Sequence, residues 1–235
     1  MGKVQCVAVC AWLALATGAV AQDSPTIKVE IKTDANVDDF TGVWTGAWDD
    51  RFDVRFTIKP MNSGQRAFVL YEWVERIGNP MQRKGAIAAV EGNVLKHPFI
   101  DITRDPADPT KGKAVGNFRT PRTAKLAWSE LPPDFLNAAT ALKRRVTIDE
   151  PLETLRLGDA MLYFATNHNF MMYAEKDVNP DDLPRLNDVR ISIPQQTDVL
   201  LEDALRTALD NAGLKYRVDG RDLRLGFKAA GAKPK

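Results

Sequence analysis

The most regular stretch of the chain is an alternation. Phe52, Val54, Phe56 and Ile58 take turns with Arg51, Asp53, Arg55, Thr57 and Lys59, the period-two signature of a half-buried strand. Asn62-Ser63-Gly64 marks a turn, and Ala67-Phe68-Val69-Leu70-Tyr71-Glu72-Trp73-Val74 reads as the next strand, apolar on both faces over much of its length. Gly78-Asn79-Pro80 breaks the chain again. Strand-like pieces follow at 82–90, 94–99, 100–104, 113–119 and 123–128, with the irregular loop Asp105 to Thr110 expected at one end of the assembly. Many short strands at this spacing predict an antiparallel meander, closed as a barrel or folded as a sandwich.

Further along, the period changes and the chain repeats itself. Leu157-Gly158-Asp159-Ala160-Met161 aligns with Leu201-Glu202-Asp203-Ala204-Leu205, and the same offset joins Phe164 to Ala208, Asn167 to Asn211 and Phe170 to Leu214. Upstream, Val146-Thr147-Ile148 matches Ile191-Ser192-Ile193 with a shift of one residue. Each copy reads strand, amphipathic helix, strand. The first helix is expected from about Leu155 to Asn167, burying Leu157, Ala160, Met161, Phe164 and Ala165. In the second, Leu200, Leu201, Ala204, Leu205, Ala208 and Leu209 oppose Glu202, Asp203, Arg206 and Asp210. Thr197 or Asp198 is placed to cap its start, and Gly213 to end it in a left-handed conformation. A hairpin closes the unit: Leu214, Tyr216 and Val218 alternate, Asp219-Gly220 is the expected turn, and Leu223, Leu225 and Phe227 alternate back.

The expected fold class is therefore α+β: an N-terminal all-β antiparallel barrel or sandwich, then a small β-α-β repeat domain with two helices. The expected segments are a signal peptide at 1–21, a flexible leader at 22–39 and the β domain at 40–128. A linker at 129–144 follows, in which Asp134 to Leu142 could form a short helix. The repeat domain occupies 145–227, and 228–235 is a disordered basic tail.

Two resemblances sharpen this picture. The run Asp203-Ala204-Leu205, Leu209 and Ala212-Gly213-Leu214-Lys215-Tyr216-Arg217-Val218 resembles the short N-terminal domain shared by secretins and TonB-dependent receptors. Val146-Thr147-Ile148 and the helix carrying Gly158-Asp159-Ala160 fit the same pattern. The resemblance implies contacts with other envelope proteins. No outer-membrane barrel or secretin pore follows, so the module is expected to act outside that setting. The β domain resembles a calycin-like, lipocalin-type barrel through Phe40-Thr41-Gly42-Val43-Trp44, a Gly-x-Trp opening repeated in Gly46-Ala47-Trp48. That likeness implies that the first-strand Trp packs across the closed end against an Arg, here Arg119 or Arg122.

The N-terminus sets the expected compartment. Lys3, the apolar run from Val7 to Ala16 and Ala19-Val20-Ala21 before Gln22 read as an export signal cleaved near Ala21–Gln22. The run is too short to span a bilayer, and no later stretch is long enough. Both cysteines, Cys6 and Cys10, fall in this signal, so the mature chain carries no disulfide, and a periplasmic or secreted protein stabilised by its core is expected. The full chain holds 32 basic and 31 acidic residues. Removal of Lys3 balances them, which gives no support for nucleic-acid binding.

Chemistry is sparse. His97 and His168 are the only histidines, and no activated Ser or Cys accompanies them. His168 is expected to act as a cation at a helix C-terminus, while His97 with a nearby carboxylate would be the minority reading as a hydrolase. Asp177, Asp181 and Asp182 around Asn179 and Pro180 lack the Gly and Glu of a calcium loop and read as a solvated connection. No metal or cofactor is expected. Two sets hold functional interest. Trp44, Trp48, Tyr71, Trp73 and Trp128 could line a barrel interior and hold a small apolar ligand, or simply fill it. Lys215, Arg217, Arg221 and Arg224, continued by Lys228, form a cationic stripe suited to an acidic partner or to protecting a sheet edge. The expected function is an exported, non-enzymatic binding protein that contacts an envelope partner, with a carrier of small apolar ligands as the alternative.

Overall fold

The computed structural model describes residues 36–61, 65–76 and 78–228. The expected export signal, most of the leader, the Asn62-Ser63-Gly64 turn and the tail beyond Lys228 lie outside the described residues.

The alternating segments form strands β1 (Gly42–Trp48), β2 (Phe52–Pro60), β3 (Arg66–Trp73), β4 (Gln82–Glu91), β5 (Val94–His97), β6 (Ile100–Arg104), β7 (Lys111–Gly116) and β8 (Arg122–Ser129). Each pairs antiparallel with the next, and β1 also pairs with β8, with Trp44 opposite Trp128 and Trp48 opposite Ala124. The sheet therefore closes as an eight-stranded barrel and not as a sandwich. Its interior is packed with Trp44, Phe56, Ile58, Val69, Leu95, Ile102, Ala114 and Leu126.

The barrel's two ends differ. The leader is not featureless up to residue 39. Val37–Phe40 forms a 3-10 helix whose Val37 and Phe40 are buried with the barrel core. Asn36 and Asp39 cap it reciprocally. This turn, Trp44 and the 105–110 loop occupy one end. The β1–β2, β3–β4, β5–β6 and β7–β8 connections gather at the other.

Strand β3 is buried on both faces, as its sequence suggests. Val69 and Tyr71 face the barrel interior, whereas Phe68 and Leu70 face outward against the C-terminal half. There Phe68 meets Phe135, Leu136, Ala165 and Met171, with Met61, Ile87 and Leu162 around them. Helix and strand approach so closely that a Cβ on Gly85 would lie 2.1 Å from Thr166 Oγ1 and 2.8 Å from the Phe68 ring. The 129–144 segment is thus more than a tether. Phe135 and Leu136 are buried, and only Ala138–Ala141 is helical (α1). A left-handed Leu136 (φ 51) stops the helix from starting at Asp134.

The C-terminal half contains β9 (Arg145–Ile148), β10 (Leu152–Arg156), α2 (Leu157–His168), β11 (Met172–Ala174), α3 (Leu183–Asp188), β12 (Arg190–Ile193), β13 (Gln196–Leu200), α4 (Leu201–Asn211), β14 (Leu214–Asp219) and β15 (Asp222–Phe227). The strands leading directly into both helices were not foreseen. They exist because the two copies exchange partners: β9 pairs with β13, and β12 with β10. Each of β10 and β13 is interrupted by a register shift at a residue of positive φ, Thr154 (48°) and Asp198 (54°), which occupy equivalent places. The Thr154 N–H donates to Ser192 Oγ at 3.0 Å, and the Asp198 N–H to Thr147 Oγ1 at 3.4 Å. Arg190 and Arg145 reach the Thr154 and Asp198 carbonyls in the same way. Thr197 and Asp198 therefore lie in a strand instead of capping α4, whose first turn has Leu200 at the N-cap with no side-chain bond. Gly213 follows α4 with φ 72, as expected. The hairpin turn is shifted by one residue: Asp219 pairs with Asp222, leaving Gly220 and Arg221 as the loop.

Candidate functional site

A cavity of about 500 Å³ opens at the barrel end opposite the 3-10 helix. Its floor and walls come from the interior faces of the strands: Trp48 from β1, Tyr71 and Trp73 from β3, and His97 from β5. Phe99, Phe118 and Arg119 from the end loops complete it. The period of two explains why Tyr71 and Trp73 share this face. Their rings stack with centroids 4.5 Å apart, and Tyr71 also stacks on Phe56 at 5.2 Å. Trp48 stands edge-on to Phe56, Tyr71 and Phe118, an arrangement favoured by the quadrupoles of the rings. Its indole N–H donates to the Tyr71 hydroxyl at 2.9 Å, so the aromatic wall is held in one geometry. Burial pushes the Tyr71 phenol upward in pKa, and the hydroxyl stays protonated at neutral pH.

Three of the five proposed aromatic residues meet here: Trp48, Tyr71 and Trp73. The other two do not. Trp44 is fully buried, donating from Nε1 to the Phe40 carbonyl at 2.8 Å. Trp128 is 37% exposed near the end of β8, away from the cavity, and donates to the Thr41 carbonyl at 2.7 Å. Neither Arg119 nor Arg122 packs on Trp44. Both line the open end, Arg122 lying over the Phe52 ring at 4.9 Å and near Asp49 at 3.9 Å. Arg104 is the arginine at the Trp44 end, paired with Asp39 at 3.1 Å.

His97 is 5% exposed. Its Nδ1 accepts the Phe99 N–H at 3.4 Å, which leaves the imidazole proton on Nε2, and Nε2 has no hydrogen-bond partner. Burial, reinforced by Lys84, lowers its pKa to about 4. A ring of such low basicity, with no carboxylate bonded to it, is a poor general base, so the geometry gives the hydrolase reading no triad. His168 is likewise lowered to about 4 by burial and by Arg83. It is neutral, which corrects its expected role as a cation at the end of α2.

These two rings set a pH dependence. Their folded values lie near 4 against an ordinary 6.5, so below 6.5 the unfolded chain takes up protons that the folded chain resists. Their contribution is complete above pH 6.5 and is lost as the pH falls towards 4. The melting temperature is expected to drop across that window. Replacing both histidines with phenylalanine should flatten the drop, and an unchanged slope would count against it.

No protein-family model matches this chain, and neither the curated proteins nor the solved structures yield a match. The site must therefore be judged on its own chemistry. Among the described residues no group of His, Cys, Asp or Glu is arranged to hold a metal, and no helix is long and apolar enough to cross a membrane.

The cationic stripe is largely neutralised. Arg217 pairs with Glu175 at 3.3 Å and Asp219 at 3.6 Å. Arg224 pairs with Asp219 and Asp222, both at 3.6 Å, and lies over Tyr173. Lys228 meets Asp210 at 2.9 Å. Lys215 sits opposite Gly226, and Arg221 lies in the hairpin turn. Sequence alternation placed Arg217 and Arg224 on one face correctly, since they are cross-strand neighbours, but it could not show the carboxylates brought in by β11 and the hairpin itself. His97, Phe99, Phe118 and Lys84 were missed as parts of the cavity. The signal for the first was its place at the end of an alternating strand.

Proposed function

We propose that the protein is an exported, non-enzymatic binding protein with two working parts. The barrel takes a small apolar ligand in its open end. The C-terminal half is a β-α-β pair like the short domain that precedes secretins and TonB-dependent receptors, and it contacts a protein partner in the cell envelope. One observation carries the ligand-binding reading: a preformed cavity of about 500 Å³ walled by rigidly held aromatic rings, in a barrel whose remaining interior is packed. This size suits a drug-sized molecule. Rings already locked by stacking and by the Trp48–Tyr71 bond lose little freedom when a ligand arrives. The partner reading is supported by the repeat and by the exchange of strands between its copies. The alternative, a carrier with no protein partner, uses the same cavity.

The test is titration with neutral N-phenylnaphthylamine, followed by the dye's own emission. Saturable enhancement is expected with the full chain, and at least about tenfold weaker binding, roughly 1.4 kcal/mol, for Trp73→Ala with its melting temperature preserved. Equal binding by wild type and Trp73→Ala would remove the cavity from consideration.

A further inference from the structure

The rim of the cavity is not neutral. Lys84, Arg119 and Arg122 line it against a single carboxylate, Glu75. Arg122 is offset by Asp49 at 3.9 Å. Among the described residues Lys84 and Arg119 form no ion pair, and both are exposed at the mouth. The Lys84 ammonium lies over the Phe99 ring, 5.2 Å from its centroid, which fixes the cation at the edge of the apolar wall. Deeper in the same wall, the Nε2 donor of His97 is buried and unpaired. Buried donors without partners are uncommon in folded proteins. Glu75 apart, these polar groups are donors or cations, and the sides of the cavity between them are aromatic.

We propose, building on the ligand-binding reading above, that the cavity selects aromatic molecules bearing one anionic group, a carboxylate or sulfonate. The ring system lies against Tyr71, Trp73 and Phe118, and the anion sits at the rim between Lys84 and Arg119. Aromatic stacking supplies affinity, while the two cations supply selectivity by favouring an anion and rejecting a cation of the same shape. The neutral state of His97 fits this division of labour. A second full positive charge inside the wall would carry a desolvation cost, whereas an N–H donor polarises the site without one.

The experiment compares two dyes of nearly the same skeleton, neutral N-phenylnaphthylamine and its sulfonate, anilinonaphthalene sulfonate, each titrated into the full chain. The sulfonate is expected to bind about tenfold more tightly at low salt, with the advantage shrinking as ionic strength rises. In Lys84→Gln/Arg119→Gln the sulfonate should lose about tenfold and the neutral dye markedly less, which brings the two affinities together. Melting curves of the variant, whose replaced residues are exposed, establish that it is folded. Equal affinity of the two dyes for wild type, or an equal loss of both in the double variant, overturns the charge selectivity while leaving the cavity reading standing. Failure of both dyes to bind overturns the two readings together.

Discussion

Replacing Trp44 with alanine is expected to lower the free energy of unfolding by about 3–5 kcal/mol, the range for removing a large buried ring. The ring is fully buried at the closed end of the barrel. It presses on Gly112, where a Cβ would lie 3.0 Å from the indole. Its N–H is the donor to the Phe40 carbonyl at 2.8 Å. Truncation therefore opens a void and leaves that carbonyl unpaired beneath the Val37–Phe40 turn. Trp44→Phe separates the two losses, since it keeps most of the packing and sacrifices the hydrogen bond, worth about 1 kcal/mol. Urea unfolding of the two variants measures both. A loss below about 1 kcal/mol for Trp44→Ala would mean that the closed end repacks freely. Dye binding per folded molecule should stay constant, because Trp44 does not line the cavity.

That contrast between Trp44 and Trp48 shows what could be read from the sequence. Strict alternation through β2 assigned its faces, and in β3, apolar on both faces, the period of two still required Tyr71 and Trp73 to travel together without saying which way they point. Alternation says nothing about height along a barrel axis. Trp44 and Trp48 both point inward from β1, yet one is packed into the closed end and the other borders the cavity. Their difference depends on the Val37–Phe40 turn, whose four residues carry only two apolar side chains, too few to raise a pattern. Trp128 shares the phase of Trp44 across the β1–β8 pair, yet it stays part-exposed near the end of β8, its indole donating to the Thr41 carbonyl, a contact between distant segments.

The repeat was legible for a different reason and failed in a different place. Copies at constant offset reveal themselves by identity of type, so both helices and the left-handed Gly213 were visible. Strands β10 and β13 were not, because neither owes its existence to its own pattern. Leu152-Glu153-Thr154-Leu155-Arg156 becomes a strand by lying against Arg190–Ile193 of the other copy, and its apolar residues are out of phase across the bulge at Thr154. Local reading therefore assigned Leu155 and Leu200 to the helices. The physical clue was present but faint: Arg145 and Arg190 are equivalent in the repeat, and both turn out to hold the carbonyl of the bulged residue in the partner copy.

Asn169→Ala is expected to cost about 3 kcal/mol, from two lost hydrogen bonds of about 1 kcal/mol each and a left-handed backbone costing an alanine about 1 kcal/mol more. Asn169 ends α2 with φ 62. Its Oδ1 accepts the Leu136 N–H at 2.8 Å, and its Nδ2 donates to the Asp134 carbonyl at 2.8 Å. The Leu136 carbonyl in turn accepts from Lys59 Nζ at 3.2 Å, so one side chain ties the linker to α2 and, through it, to barrel strand β2. The second copy supplies the control. Gly213 occupies the equivalent place after α4 with φ 72, and no linker docks on it. Asn169→Gly should then remove the clamp while keeping the backbone comfortable, losing about 1 kcal/mol less than Asn169→Ala. Both variants should expose 131–137 to limited proteolysis. If Asn169→Gly were as stable and as protease-resistant as wild type, the αL conformation alone would explain the asparagine, and the buried Leu136 would need another anchor.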